Sequence, residues 1–534
     1  MFWFALLGSL AIGGCGDSSD GSEQSPTVEP TTVPADSAPE ALEAAEFPLL
    51  PRLTPGTVAG LRAVADRVEG RNNQVFAKIG DSATVSRAFL ECFARDGVVL
   101  GAHGALQPTI DFFRGGNAGG RDPFRRQSVA AEVGWSARQL LIGQPPPLLQ
   151  EVQAINPRFA FVLSGGNDVE GREPRRYANR MVRIVDRLTT RGVIPILGSI
   201  TPRNDDPEAD QWVRRYNAVN RAIADGRGVP YIDFHQALSL LPRRGLARDG
   251  VHPNVYVAEH ETRPCDLGEA GLQHGQNVRN LLALQTLDRL RRRLLGGEAA
   301  TEPELPVAAG TVSNPVRIDA VPFSFFGDTR EPGQDEFDRY SCEDAVEEAG
   351  GEFVFEISVA EPQTLRLWAY GPMGADVDLH LLARGDPESC LVRADEELVH
   401  RLEPGRYFVT VDTFGAEAEE KPGEFVFTVD LAERPAWQGP AEGDDDAEGV
   451  PASDEADADT SSEASEDTTR EGTAPEDTAP GDTAPEDTAS GDTNARLAAE
   501  SGAESSTGGN REEAAIHGEE VDVSDSDDEA AGTE

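Results

Sequence analysis

Through the first 300 residues, short apolar runs without helical spacing alternate with stretches whose apolar residues recur every three or four positions. Val75, Phe76 and Ile79 form one short run. Arg158 to Ser164, Val193 to Leu197 and Val229 to Phe234 form three more, and each predicts a strand. Between them, Val58, Leu61, Val64 and Val68 share one helical face, as do Tyr177, Met181, Ile184, Val185 and Leu188, and then Trp212, Tyr216, Val219 and Ile223. Ser86 to Phe93 also reads as a helix, Val98 to Leu100 as a short strand, and a helix is expected to begin near Ala137. The Gly- and Phe-rich stretch 107–126 reads as a long loop of the kind that shapes a pocket. A last helix, Gly275 to Leu295, repeats Leu at helical spacing, and those Leu residues read as core. Such alternation implies an α/β fold: a parallel sheet covered by helices on both faces, with its functional loops beyond the strand C-termini.

The texture changes after a linker at 298–315. From 316 to 432 the runs are short, alternating and separated by Gly and Pro turns, as in Phe353-Val-Phe-Glu-Ile and Glu424-Phe-Val-Phe-Thr-Val. That pattern predicts an all-β sandwich. Residues 16–53 are rich in Ser, Thr, Pro, Glu and Ala and read as a disordered tether. Residues 433–534, with Ala474-Pro-Glu-Asp-Thr repeated through Thr493, read as a disordered acidic tail.

Charge sharpens this division. The 534-residue chain carries a formal net charge of −48, and 31 acidic against 3 basic residues lie beyond position 440. A field of that sign repels phosphates, so nucleic acid is excluded as a partner. The eight His form no ligand cluster, so neither a metal nor a cofactor is expected. In the second half, Asp376 and Asp378 share a strand face near Asp412, which reads as a solvated acidic surface in preference to a Ca²⁺ site.

The candidate chemistry begins at Gly80-Asp-Ser82. Ser82 stands where a strand turns into a helix, and the free N–H groups of a helix start can stabilise an oxyanion. Alone, the tripeptide reads as an ordinary helix N-cap. Gly165-Gly-Asn-Asp168 follows the second strand, and Asp249-Gly-Val-His-Pro253 comes later. In this order the three pieces resemble the SGNH (GDSL-type) hydrolase family over 54–297. The resemblance implies a three-layer α/β/α domain and a serine esterase with Ser82 as nucleophile, His252 as general base and Asp249 as its orienting acid. It also implies an oxyanion hole formed by the Ser82 N–H, the Gly134 N–H and the Asn167 amide. Gly115, Gly116, Gly119 and Gly120 compete with Gly134.

At the N-terminus, an apolar stretch with small residues before Cys15 resembles a bacterial lipoprotein signal over residues 1–15. It implies lipidation of Cys15 and membrane anchoring in the bacterial cell envelope. Ala375-Asp-Val-Asp-Leu-His-Leu-Leu and Pro404-Gly-Arg-Tyr-Phe-Val-Thr-Val-Asp412 resemble the bacterial pre-peptidase C-terminal domain. With Cys15 lipidated, four cysteines remain, two per domain, which predicts the disulfides Cys92–Cys265 and Cys342–Cys390. The first is expected to pin the His252 loop to the helix behind Ser82, and so to matter to rate as well as stability. The expected activity is hydrolysis of short acyl or acetyl esters of carbohydrate or lipid by a monomer. The alternatives are acyl transfer from the same serine, or a polysaccharide-binding lipoprotein with a vestigial hydrolase domain.

Overall fold

The strand Asn72–Gly80 is buried from Val75 onward. Alternate side chains enter different cores, because side chains alternate across a strand. Val75, Ala77 and Ile79 face one, and Phe76 faces the other with Phe159 and Phe161 of the next strand. The structure is a computed structural model. It describes residues 42–45, 47–305, 308–331, 335–343, 347–348, 350–414 and 421–433. Cys15, most of the tether and the acidic tail lie outside the described residues.

Four parallel strands, Asn72–Gly80, Pro157–Leu163, Ile194–Gly198 and Tyr231–Ile232, pair in sequence order. Their C-terminal ends are aligned, with Gly80 opposite Leu163. Helices α1 (Pro55–Asp66), α3 (Gln107–Arg114), α7 (Phe234–Ser239) and α8 (Gly275–Leu290) cover the face toward Phe76. Helices α4 (Pro147–Ile155), α5 (Pro174–Thr189) and α6 (Pro207–Gly226) cover the other.

Three local expectations fail. Ser86 to Phe93 is not a helix. A four-residue helix α2 (Ser82–Val85) ends at Ser86, and only a 3₁₀ turn, Glu91–Ala94, follows. The Asn280 side chain takes the Leu90 N–H and donates to the Ala88 carbonyl, so these backbone groups are satisfied without a helix. The 107–126 stretch contains α3, opened by Pro108 in its first turn, where a missing N–H costs nothing. Its phenylalanines do not line a pocket: Phe113 and Phe124 are fully buried and meet Phe76 edge-on at 5.5 and 5.2 Å. Each such burial contributes ~1.5–3 kcal/mol. Near Ala137 there is only a 3₁₀ turn, Gln139–Leu141, and the α-helix waits until Pro147.

The β-rich half is a two-sheet sandwich. One sheet orders Phe323–Asp328, Glu424–Leu431, Gln363–Tyr370 and Glu397–Leu402; the other orders Cys390–Ala394, Val377–Leu382, Gly405–Thr413, Phe353–Val359 and Val316–Ile318. All pairings are antiparallel except that of Phe353–Val359 with Val316–Ile318. The acidic face is solvated only at Asp376, whose side chain is half-exposed and meets Lys421 at 3.1 Å. Asp378 is buried against Arg393 at 2.7 Å, and Asp412 is buried and accepts the Tyr340 hydroxyl. The two cystines pair Cys92 with Cys265 and Cys342 with Cys390, as the domain count predicts.

Both domains belong to one compact unit. Trp368, Tyr370, Val426 and Phe326 point out of the four-stranded sheet into the α/β core. The Trp212 and Trp368 rings stack at 6.2 Å, and the Arg215 guanidinium lies 4.2 and 4.3 Å from their centroids.

Candidate active site

Gly80 is the last residue of its strand, at φ +156°. A Cβ there would lie 2.1 Å from the Leu163 carbonyl oxygen, so only glycine lets the chain turn this close to its neighbour. Asp81 then caps α2, its carboxylate accepting the Ala83 N–H at 3.2 Å. Ser82 is the first helical residue, half-buried at the C-terminal edge of the sheet.

The loop after α7 brings the other two groups. Asp249 accepts the backbone N–H groups of Val251 and His252 on Oδ1, at 2.9 and 3.0 Å, and meets His252 Nδ1 with Oδ2 at 2.7 Å. His252 Nε2 lies 2.8 Å from Ser82 Oγ. A carboxylate only accepts, so Nδ1 carries the proton and Nε2 is free to accept from the serine. Burial raises the Asp249 pKa, but the two backbone hydrogen bonds and the imidazole outweigh it and hold the carboxyl below the usual range. The loop is anchored from the third strand's side. Asn204 N–H donates to the Gly250 carbonyl at 2.8 Å, and Gly250, at φ +72°, presses so close that a Cβ would sit 2.7 Å from the Asp205 nitrogen. The His252 and Asp249 side chains are 45 and 48% exposed, so the relay opens to solvent.

Asn167 follows the second strand and donates one amide N–H to the Trp135 carbonyl at 2.8 Å. A side-chain amide carries a second N–H donor besides this one. Ala131 bridges to Gly80 in parallel fashion, so Gly134 lies three residues beyond a point level with the end of the Ser82 strand, at φ +80°. Gly115 and Gly116 pack against Gln74, near the opposite end of that strand. Asp168 joins the two loops from below. It accepts the Ala137 N–H at 2.8 Å and Arg180 at 3.2 Å, and burial raises its pKa.

Two buried charges beneath Ser82 escape a reading by motif. Asp81 is 8% exposed, and burial pushes its carboxyl up to about 6. Arg279, on α8, is 2% exposed, and burial lowers its pKa to about 10. The signal for it was present: Gln276, Asn277, Arg279 and Asn280 interrupt a Leu-rich helix, and all four are buried. Among the described residues, the group of possible metal ligands is Cys342, His380 and Cys390, whose two sulfurs are bonded to each other.

Residues 115–257 match the GDSL-like Lipase/Acylhydrolase family. This segment contains Gly134, Asn167, Asp249 and His252, and begins after Ser82. The α/β half is thus a carboxylic ester hydrolase domain. No curated protein matches the chain. Among solved structures, a GDSL-like lipase from Bacteroides thetaiotaomicron is 16% identical, with 44% of this chain and 98% of that one covered and a TM-score of 0.27. An acetyl xylan esterase from Geobacillus stearothermophilus is 18% identical over 29 and 70%, with a TM-score of 0.23. The pre-peptidase C-terminal domain of a Bacillus anthracis collagenase is 13% identical over 24 and 98%, with a TM-score of 0.16.

Proposed function

We propose that this ester hydrolase is an extracytoplasmic serine esterase that cleaves short acyl esters of carbohydrate or lipid, with Ser82, His252 and Asp249 as its catalytic triad. The observation that carries the reading is the unbroken relay from Ser82 Oγ to His252 Nε2 at 2.8 Å and from His252 Nδ1 to Asp249 at 2.7 Å. In this mechanism His252 takes the Ser82 proton as Oγ attacks the ester carbonyl. The Ser82 and Gly134 N–H groups and the Asn167 amide receive the oxyanion, each contributing ~3 kcal/mol to the transition state. His252 returns the proton to the leaving alcohol, and water then cleaves the acyl-serine by the reverse sequence. Asp249 stays ionised and fixes the imidazole. The exposed relay suits an ester whose alcohol is part of a larger molecule.

The cellular setting is part of the same reading. Two cystines suit an oxidising compartment, and Cys15 would anchor the mature chain to a membrane. The β-sandwich is read as an accessory module of the pre-peptidase C-terminal type. The test is Ser82→Ala, assayed on p-nitrophenyl esters of graded acyl length and with a fluorophosphonate probe. Turnover and labelling should vanish with the melting temperature unchanged; a mutant that still labels would remove Ser82 from its role.

A further inference from the structure

Two buried charges that the triad does not use, Asp81 and Arg279, both contact Ala83 of the nucleophile turn. Asp81, immediately before Ser82, accepts the Ala83 N–H at 3.2 Å and also a hydrogen bond from the Gly166 N–H. A Cβ on Gly166 would lie 3.2 Å from Asp81 Oδ2, so carboxylate and loop are in direct contact. One carboxylate therefore ties the turn that presents Ser82 to the loop that presents Asn167. Opposite it, Arg279 projects from α8. Its Nη1 donates to the Ala83 carbonyl at 3.4 Å and to Gln276 Oε1 at 3.2 Å. Its guanidinium carbon lies 4.9 Å from the Phe89 ring centroid and 5.3 Å from that of Phe234, and its Nε has no hydrogen-bond partner among the described residues.

A guanidinium so poorly supplied with acceptors is costly to bury for packing alone. Its compensation is electrostatic, because a positive charge nearby favours the ionised form of a buried carboxyl. We infer that Arg279 is a positioning residue of the esterase site: it supplies the countercharge to the Asp81 carboxylate and thereby fixes the Ser82 turn and the Asn167 loop together. The inference rests on the esterase reading above. The charged and titratable side chains facing Asp81 are Arg279 from α8 and the His252 imidazole from the triad loop, and the Ala83 and Gly166 N–H groups favour its ionised form. With Arg279 removed, Asp81 takes up a proton at a higher pH, and a neutral carboxyl holds the two N–H groups less firmly.

The experiment is the pH dependence of kcat on a p-nitrophenyl acetate substrate for the wild type, Arg279→Met, Arg279→Lys, Asp81→Asn and the Asp81→Asn/Arg279→Met double variant, with melting temperatures in parallel. Arg279→Met should lower kcat at pH 7 by about tenfold, recover as the pH rises toward 9, and change KM less than about twofold. Arg279→Lys should restore most of the loss. In the Asp81→Asn background, Arg279→Met should not move the acid limb further. If Arg279→Met does not fold, Arg279→Gln replaces it, with the same expected limb. An acid limb that stays in place in the uncharged variants, or that moves equally without Asp81, overturns the inference while leaving the esterase reading intact. A wild type that neither turns over ester nor labels with fluorophosphonate overturns both.

Discussion

Removing the Cys92–Cys265 bridge should cost stability and leave the chemistry nearly intact, which departs from what the sequence suggests. The cystine closes a chain segment with a sequence separation of 173. Loop closure of that length sets a ceiling on the order of 5 kcal/mol, and real bridges deliver about 2–4. For a domain of this size, that is a fall in melting temperature of roughly 5–15 °C. The rate follows a different group. Asn280 spans the same two segments, accepting from Leu90 N–H at 2.9 Å and donating to the Ala88 and Pro264 carbonyls at 2.8 and 2.9 Å. A bridge between Val99 and Asp266 adds a hydrogen bond from Leu267 N–H to the Val99 carbonyl at 2.6 Å. With these ties kept, Cys92→Ser/Cys265→Ser should hold kcat within about threefold at 25 °C. Asn280→Ala should do the reverse in kind. It strands a buried N–H and two carbonyls, each worth about 1–3 kcal/mol, and loosens both segments at once, lowering kcat by about tenfold or more although the cystine remains. Calorimetry and ester kinetics on the two variants decide the matter. A serine pair that loses more than tenfold in kcat at 25 °C, beside an Asn280→Ala protein of normal rate, would refute the assignment.

The other expectations are briefer. The Asp249 carboxyl is held below its unfolded pKa, so its contribution to stability is present above about pH 4 and is lost as the pH falls through the lower folded value. At 48% side-chain exposure that contribution is screened to about 1 kcal/mol or less; urea midpoints of wild type and Asp249→Asn should differ at pH 6 and draw together as the pH falls below about 4, and a gap that does not shrink with acid counts against it. Radiolabelled palmitate should enter the wild-type protein in a bacterial host and be absent from Cys15→Ser; a wild type that stays unlabelled in the soluble fraction would mean that Cys15 is not an anchor.

What could be read from the chain was whatever is contiguous. The strand ending at Gly80, the Asn167 turn and the Asp249–His252 loop each carry a signal within a few residues, and the parallel sheet aligns their ends. The cystines followed from two cysteines in each domain. What failed depends on distant partners. Ser86 to Phe93 has helical spacing, but Asn280, some 190 positions away, satisfies its backbone in another form. The glycines at 115–120 made the whole of 107–126 look like loop, which is right for 115–126 but not for α3, where Gly115 is the cap. Asp378 and Asp412 looked solvated because their partners, Arg393 and Tyr340, come from other strands and loops.

The run Glu424-Phe-Val-Phe-Thr-Val shows why the second domain is more than an appendage. In a sandwich with one wet face, every second residue would be polar. Here Phe425, Phe427 and Val429 fill the sandwich, while Val426 enters the α/β core. Both faces of this strand are buried from Phe425 to Val429, the outer one against the helices that support the Asn167 loop. Tyr216 of α6 donates its hydroxyl to the Asp168 carbonyl at 3.1 Å, and Trp212, one turn earlier, stacks on Trp368. Arg180 of α5 holds the Asp168 carboxylate, and its neighbour Asn179 donates to the Pro372 carbonyl at 2.6 Å. The same two helices thus grip the floor of the candidate oxyanion site on one side and the β-sandwich on the other. Truncating a buried Trp at such a seam costs about 3–5 kcal/mol, far more than a swinging module would register. The sandwich therefore backs α5 and α6, and through them the Asp168 contacts that hold the loop carrying Asn167.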